Sequence, residues 1–246
     1  MKNYPRIYSL STLGLIHHYE NDYRTDFVGD SGSGKSIIAD LLQLIFVGSE
    51  MFESATRTMD EKRELDGLVL RTPHKGIDIG YAFLNIEIQS RHYIVIGCYL
   101  ESNSKRTKPF IIQGSSDPKA NLLPIGQPLQ TKDFKREGNI CPLDDLLSQM
   151  EEKGLFLSYW ETVKPYHRIL YTHDILPLDL ASNEKTLKDY ASVIRSFSRG
   201  KTIDTSNSNN LKQFIFGTEK IKENRKKYED ALKDFTDTIF NYNQNL

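Results

Sequence analysis

Residues 29 to 36 read Gly-Asp-Ser-Gly-Ser-Gly-Lys-Ser, a complete G-x-x-x-x-G-K-S run. The order of residue types matches what a polyphosphate demands. Gly29, Gly32 and Gly34 let the backbone turn tightly and bring its N–H groups onto the phosphates, with Asp30, Ser31 and Ser33 filling the loop between them. Lys35 reaches the β- and γ-phosphates, and Ser36 offers its hydroxyl to Mg²⁺. ATP with Mg²⁺ is the ligand pair this chemistry points to. The flanks agree. Thr25-Asp26-Phe27-Val28 predicts a short buried strand. Ile37, Ile38, Leu41, Leu42, Leu44 and Ile45 predict a helix whose positive N-terminal end faces the phosphates. A flexible Gly/Ser turn before a core helix would account for the glycines, but not for strand, Lys-Ser pair and apolar helix in register.

Hydrolysis asks for more than this loop: an acid on an apolar strand to order Mg²⁺, and a group that polarises water. The only Asp-Glu pair, Asp60-Glu61, follows Thr56-Arg57-Thr58-Met59, which does not read as a core strand. Leu143-Asp144-Asp145 opens a helix, where acids favour the dipole. Ile169-Leu170-Tyr171-Thr172-His173-Asp174 is the best remaining candidate, an acid after an apolar strand but without the second acid. No Gly-Gly pair occurs, so an L-S-G-G-Q signature is absent. The residues make half of an ATPase site. Among weaker clusters, His17-His18 has no acids or cysteines at ligand spacing and reads as a solvated turn. Lys105-Arg106-Thr107-Lys108 and Lys132-Asp133-Phe134-Lys135-Arg136 are local basic patches that could meet DNA phosphates or simply face solvent. Arg195, Arg199 and Lys201 suit a helix C-terminus. No Ser-His-Asp or Cys-His arrangement can be argued.

Around these residues the chain has the means to fold. Its 246 residues are 38% hydrophobic, 26% charged and 11% aromatic, enough for one large or two small domains with a sizeable core. A formal net charge of -1 argues neither for nor against nucleic acid. Two cysteines, Cys98 and Cys141, are too few for a disulfide framework or a zinc site and fit a reducing compartment. The N-terminal residues lack a signal peptide's apolar region, and no run is long enough to span a bilayer. A cytoplasmic protein is the expectation.

The pattern predicts β-structure over Arg6–Ile16, a polar aromatic turn over residues 17–23, and a charged surface helix or loop from Ser49 to Asp66. Strands are expected over Tyr81–Ile88, with Ala82, Leu84, Ile86 and Ile88 on one face, and over Tyr93–Leu100, joined by a hairpin loop at residues 89–92. Pro109–Ile112 predicts a third strand, and residues 113–142 read as loops. Leu143–Lys153 reads as a helix stopped by Gly154. Leu155–Trp160 and Tyr166–Tyr171 are apolar and ambiguous. Ser182 is the expected N-cap of a helix carrying Leu187, Tyr190, Ala191 and Ile194 and ending at Gly200. At the C-terminus Ile221, Tyr228, Leu232, Phe235, Ile239 and Tyr242 step by 7, 4, 3, 4 and 3, an a/d heptad seam with Arg225 at the intervening position. Either a coiled coil starts here or an amphipathic helix docks on the core; the pattern runs to Leu246 without a Gly or Pro stop, which predicts that a longer coil follows.

The order of these features resembles the N-terminal half of an SMC-type ABC ATPase head, and more narrowly the MukB type. The segments that carry the resemblance are Phe27 to Ser36, Gly80-Tyr81-Ala82-Phe83-Leu84-Asn85, Val95 to Leu100, and Lys108-Pro109-Phe110-Ile111-Ile112-Gln113-Gly114, then the heptads from about 211. It implies an α/β P-loop NTPase fold with a β-rich lobe and a C-terminal coiled-coil start. The domains expected on it are 1–217, the N-terminal lobe of the head, and 218–246, the start of the coil. Such heads are split: signature and Walker B lie in a C-terminal half beyond a long coiled coil, so their absence is expected. Two heads sandwich ATP, and hydrolysis separates them, moving DNA held by the coils. The partners implied are the C-terminal head half, a second head as homodimer, kleisin-like accessory subunits and DNA; no membrane is implied. By position, Asp30 to Ser36 would bind phosphates, Ser36 the Mg²⁺, and Ile37 would lend its backbone N–H to the α-phosphate side. Arg57 matches the arginine after the first helix. Of the glutamine that watches the γ-phosphate, Gln113 is nearest by local sequence but sits early for it, and no residue is assigned. Relatives of this type act in chromosome condensation or in plasmid and phage defence. Two other classes remain open on the residues alone. A small-molecule kinase shares Ser31 to Ser36 but has no use for terminal heptads, and a non-catalytic nucleotide-binding scaffold would bind ATP without turnover.

Overall fold

The computed structural model describes residues 4–16, 20–22, 35–52, 57–58, 61–62, 65–72, 78–114 and 122–199. All fall within the unit Met1–Arg199; the second unit, Gly200–Leu246, lies outside them, and with it the heptad segment.

Along the chain come β1 (Arg6–Leu13), β2 (Glu20–Asp22), α1 (Lys35–Phe46), the two-residue strands β3 (Arg57–Thr58) and β4 (Glu61–Lys62), then β5 (Ile79–Gln89), β6 (His92–Glu101) and β7 (Lys108–Gln113). There follow β8 (Lys135–Arg136), β9 (Asn139–Ile140), α2 (Leu143–Glu152), β10 (Phe156–Tyr159), α3 (Val163–Thr172) and α4 (Glu184–Arg199). Six strands form one sheet in the order β10-β7-β6-β5-β1-β2, every neighbouring pair antiparallel. The alternation in β5 decides what covers it. Ala82, Leu84 and Ile86 join a core with Leu41, Leu44 and Ile45 of α1, Tyr166 and Leu170 of α3, and Leu187 and Ala191 of α4. Tyr81 and Phe83 point the other way, into a core with Phe134 and with Leu143, Leu146 and Met150 of α2. Period-2 patterning on both faces thus yields three layers, helices and loops on either side of a buried antiparallel sheet. Gly97 lets β6 lie this close to its neighbours, since a Cβ there would sit 2.5 Å from Phe110 Cζ and 2.6 Å from the Ala82 carbonyl oxygen.

Strands β1, β5, β6 and β7 and helix α2 lie where the pattern places them, and the β5–β6 loop is a two-residue turn, Ser90-Arg91. Several expectations change. The region 17–23 contains β2 rather than a turn throughout. Between Ser49 and Asp66 the chain forms 3₁₀ turns and the β3–β4 pair, and Leu65 is buried rather than at the surface. Residues 113–142 are not all loop. The β8–β9 hairpin turns through Glu137 and Gly138, both with positive φ (52° and 83°), as a tight primed turn requires. Phe134, fully buried, stacks on Phe83 with ring centroids 4.3 Å apart. One aromatic side chain outweighs the polar composition around it. Of the ambiguous apolar runs, the first becomes edge strand β10 and the second α3, whose buried Val163, Tyr166, His167 and Leu170 follow helical spacing. The N-cap of α4 is Asn183, not Ser182: its Oδ1 accepts the Thr186 backbone N–H at 2.7 Å, while the Ser182 hydroxyl donates to the Asp179 carbonyl.

Candidate phosphate-binding site

The expected strand Thr25–Val28 and loop residues Gly29, Asp30, Ser31, Gly32, Ser33 and Gly34 lie outside the described residues. Lys35 and Ser36 are the first two residues of α1, and Ile37, the third, is buried in the apolar core. The helix therefore begins where the lysine of the motif stands. Its inner face is largely apolar, with Leu41, Leu44 and Ile45 fully buried, and it also buries Asp40 and Gln43. Its first turn carries no acid and its last turn no base. A helix N-terminus without an acid in its first turn is one where an anion is stabilised.

Gln113 closes β7. Side chains alternate along the strand, so Gln113 shares the face of Ile111, the one covered by α1 and α3. It is fully buried, and among the described residues neither its Nε2 nor its Oε1 has a hydrogen-bond partner. An unsatisfied buried amide costs about 1–3 kcal/mol, so a native one calls for an explanation. Position offers one. Before the other end of β7, the Thr107 N–H donates to Ser49 Oγ at 3.2 Å, just past the C-terminus of α1. From there the six residues of β7 extend for about 20 Å to Gln113.

The C-terminal turn of α1 is held from α3. Tyr166 Oη donates to the Ile45 carbonyl and His167 Nε2 to the Phe46 carbonyl, both at 2.9 Å. A carbonyl can only accept, so Nε2 carries a proton, and among the described residues the buried Nδ1 has no partner. Burial pushes the His167 pKa down to about 4, against the opposing pull of the Phe46 hydrogen bond and Asp179. Gly48 leaves the helix with φ 86°, and a Cβ on it would lie 2.1 Å from Val163 Cγ1. No local pattern signals these contacts, since the partners stand 121 residues apart.

The acid candidates are not assembled here. Ile169 to Thr172 belong to α3, so Asp174 follows a helix and not a strand; its φ of 58° is that of a left-handed residue just past the helix end. Asp144 and Asp145 are exposed in the first turn of α2, as the dipole favours. Glu61 stands on a two-residue strand, and Asp60 lies outside the described residues, as do His17 and His18. In the basic patches Lys105, Arg106, Lys132, Lys135 and Arg136 are exposed, but Lys108 pairs with Glu161 at 3.2 Å and Phe134 is buried. Among the described residues no helix is long and apolar enough to cross a membrane.

With this geometry in place, comparison with known families gives one match: the MukB N-terminal family model covers residues 17–220. No curated protein matches the chain.

Proposed function

The chain belongs to the MukB N-terminal family, and on that footing we propose that it is the ATP-binding half of an SMC-like head. The observation that carries the reading is the start of α1 at Lys35, directly after the glycine run, with a largely apolar face seated on the sheet and no acid in its first turn. Residues Gly29 to Ser36 cradle the triphosphate, Lys35 meets its β- and γ-oxygens, Ile37 adds a backbone N–H, and Ser36 holds Mg²⁺. The metal supplies charge neutralisation between the phosphate oxygens. Gln113 supports the same reading: it is a buried amide with spare donor and acceptor capacity on the α1 side of the sheet, at the end of β7 away from the helix C-terminus. It takes the γ-phosphate-side role, and Arg57 stands as the arginine after the first helix.

Residues 1–217 make the N-terminal lobe and 218–246 start the coiled coil. Signature and Walker B come from a C-terminal half. ATP drives two heads together as a homodimer, in the cytoplasm, with kleisin-like subunits attached and DNA held by the assembly. The setting is chromosome organisation or defence against plasmids and phages. The test is a fluorescent-ATP titration of the full chain with Mg²⁺. Wild type binds saturably, and Lys35→Ala loses binding while keeping its melting temperature. Equal affinity in the two proteins would remove the loop from the site.

A further inference from the structure

We propose that Tyr166 and His167 are positioning residues for the nucleotide: from α3 they fix the C-terminal turn of α1, and through that stiff helix the seat of the phosphate loop at its other end. The proposal rests on ATP binding by residues 29–36.

A helix C-terminus leaves carbonyl oxygens without intrahelical donors. Here the last turn of α1 has no basic residue to serve them. The backbone N–H groups of Val47 and Gly48 both turn back to the Gln43 carbonyl, while Ile45 and Phe46 receive their donors from Tyr166 and His167. Both rings are fully buried, so water does not compete for these carbonyls. Buried Asp40 and Gln43 have interactions of their own, and α1 is otherwise held along its length by apolar contact, with Leu41, Leu44 and Ile45 in the same core as Ala82, Leu84 and Ile86 of the sheet and Leu187 and Ala191 of α4. Such contact is non-directional and resists separation better than sliding. The two hydrogen bonds at the C-terminal end are directional and help to set the axial position. Val163 fills the space a Gly48 side chain would need, so the first turn of α3 also blocks the chain leaving α1. Helix α3 packs on β7, the strand that ends in Gln113. One brace therefore references both the phosphate helix and the strand carrying the buried amide.

The experiment uses the 246-residue chain as wild type, Lys35→Ala, Tyr166→Phe, His167→Ala and His167→Gln. Each is titrated with fluorescent ATP and Mg²⁺ below its melting temperature, and amide hydrogen exchange is followed with and without MgATP. Tyr166→Phe and His167→Ala are expected to bind about fivefold more weakly or worse. His167→Gln, whose amide can donate to the same carbonyl, should stay within about twofold of wild type. ATP-induced protection at residues 29–36 should fall in the weak binders while α4 keeps its own protection, a pattern that general destabilisation does not produce. Folded Tyr166→Phe and His167→Ala proteins binding within about twofold of wild type would overturn the proposal. Should His167→Ala not fold, Tyr166→Phe, which keeps its ring, decides alone. If wild type binds no better than Lys35→Ala, the phosphate-loop reading itself has failed, and the latch with it.

Discussion

Two buried side chains show how a single residue can report on function through stability. Gln113 has an amide in the core with nothing to bond, whereas Asn85, also buried, spends its amide fully: Nδ2 on Ser9 Oγ and the Leu129 carbonyl, Oδ1 on the Leu129 N–H. If Gln113 waits for a ligand, an apolar residue of similar size is better for the empty protein and worse for the loaded one. Gln113→Leu is expected to raise the urea midpoint of the nucleotide-free chain by the equivalent of about 1–3 kcal/mol and to shrink the further rise that MgATP gives. A lower midpoint without nucleotide would mean the amide is already satisfied. His167 makes its own prediction through pH. Its folded pKa, about 4, lies below the ordinary 6.5, so as pH falls below 6.5 the unfolded chain takes up the proton first. The contribution is whole above pH 6.5 and is lost between there and about 4, amounting to about 3 kcal/mol. Urea midpoints at pH 7 and 4.5 should differ more in wild type than in His167→Gln; equal differences would place the acid sensitivity elsewhere.

Elements were legible in proportion to the regularity and length of their patterns. Strands β5 and β6 are long, largely apolar runs of 11 and 10 residues separated by a turn, and both of their faces are buried. The runs that became β10 and α3 are too short and too apolar for period alone to separate strand from helix. What settles α3 is tertiary: Tyr166 and His167 reach the carbonyls of α1, which no local window contains. The same division holds at the candidate site. The glycine-lysine-serine spacing is local and could be read directly, as could the start of α1. The orphaned amide of Gln113 and the brace on α1 depend on packing and could not. Phe134 is the clearest case of a core residue hidden in polar sequence. It touches the rings of Tyr81, Phe83 and Phe110 and fills the layer between the sheet and α2. Phe134→Ala is expected to cost about 3–5 kcal/mol in denaturant titrations. A loss below about 1 kcal/mol would show that this layer collapses onto the gap.

At the scale of the molecule, the placement of acids relative to α1 decides what the site can do. The buried acids among the described residues are Asp40, Asp78 and Glu87. Asp40 sits on α1 itself and has a partner. Asp78 accepts the Thr72 N–H at 2.8 Å and lies ahead of β5. Glu87 alternates with Phe83, which puts it on the sheet face away from α1, where it pairs with Arg6 and accepts the Arg91 N–H. None of the three is an acid at the end of a strand beside the phosphate helix, and Asp174, the one that sequence favoured, follows a helix instead. On the proposed reading the chain holds a triphosphate and leaves the activation of water to a second half. The full chain under saturating ATP and Mg²⁺ is therefore expected to release phosphate no faster than Lys35→Ala. Adding a C-terminal half that carries an Asp-Glu strand and a Gly-Gly signature should bring turnover and an ATP-dependent increase in mass together, because engagement and completion of the site are the same event. Steady hydrolysis by this chain alone would place the missing acid within its own 246 residues and end the half-site account.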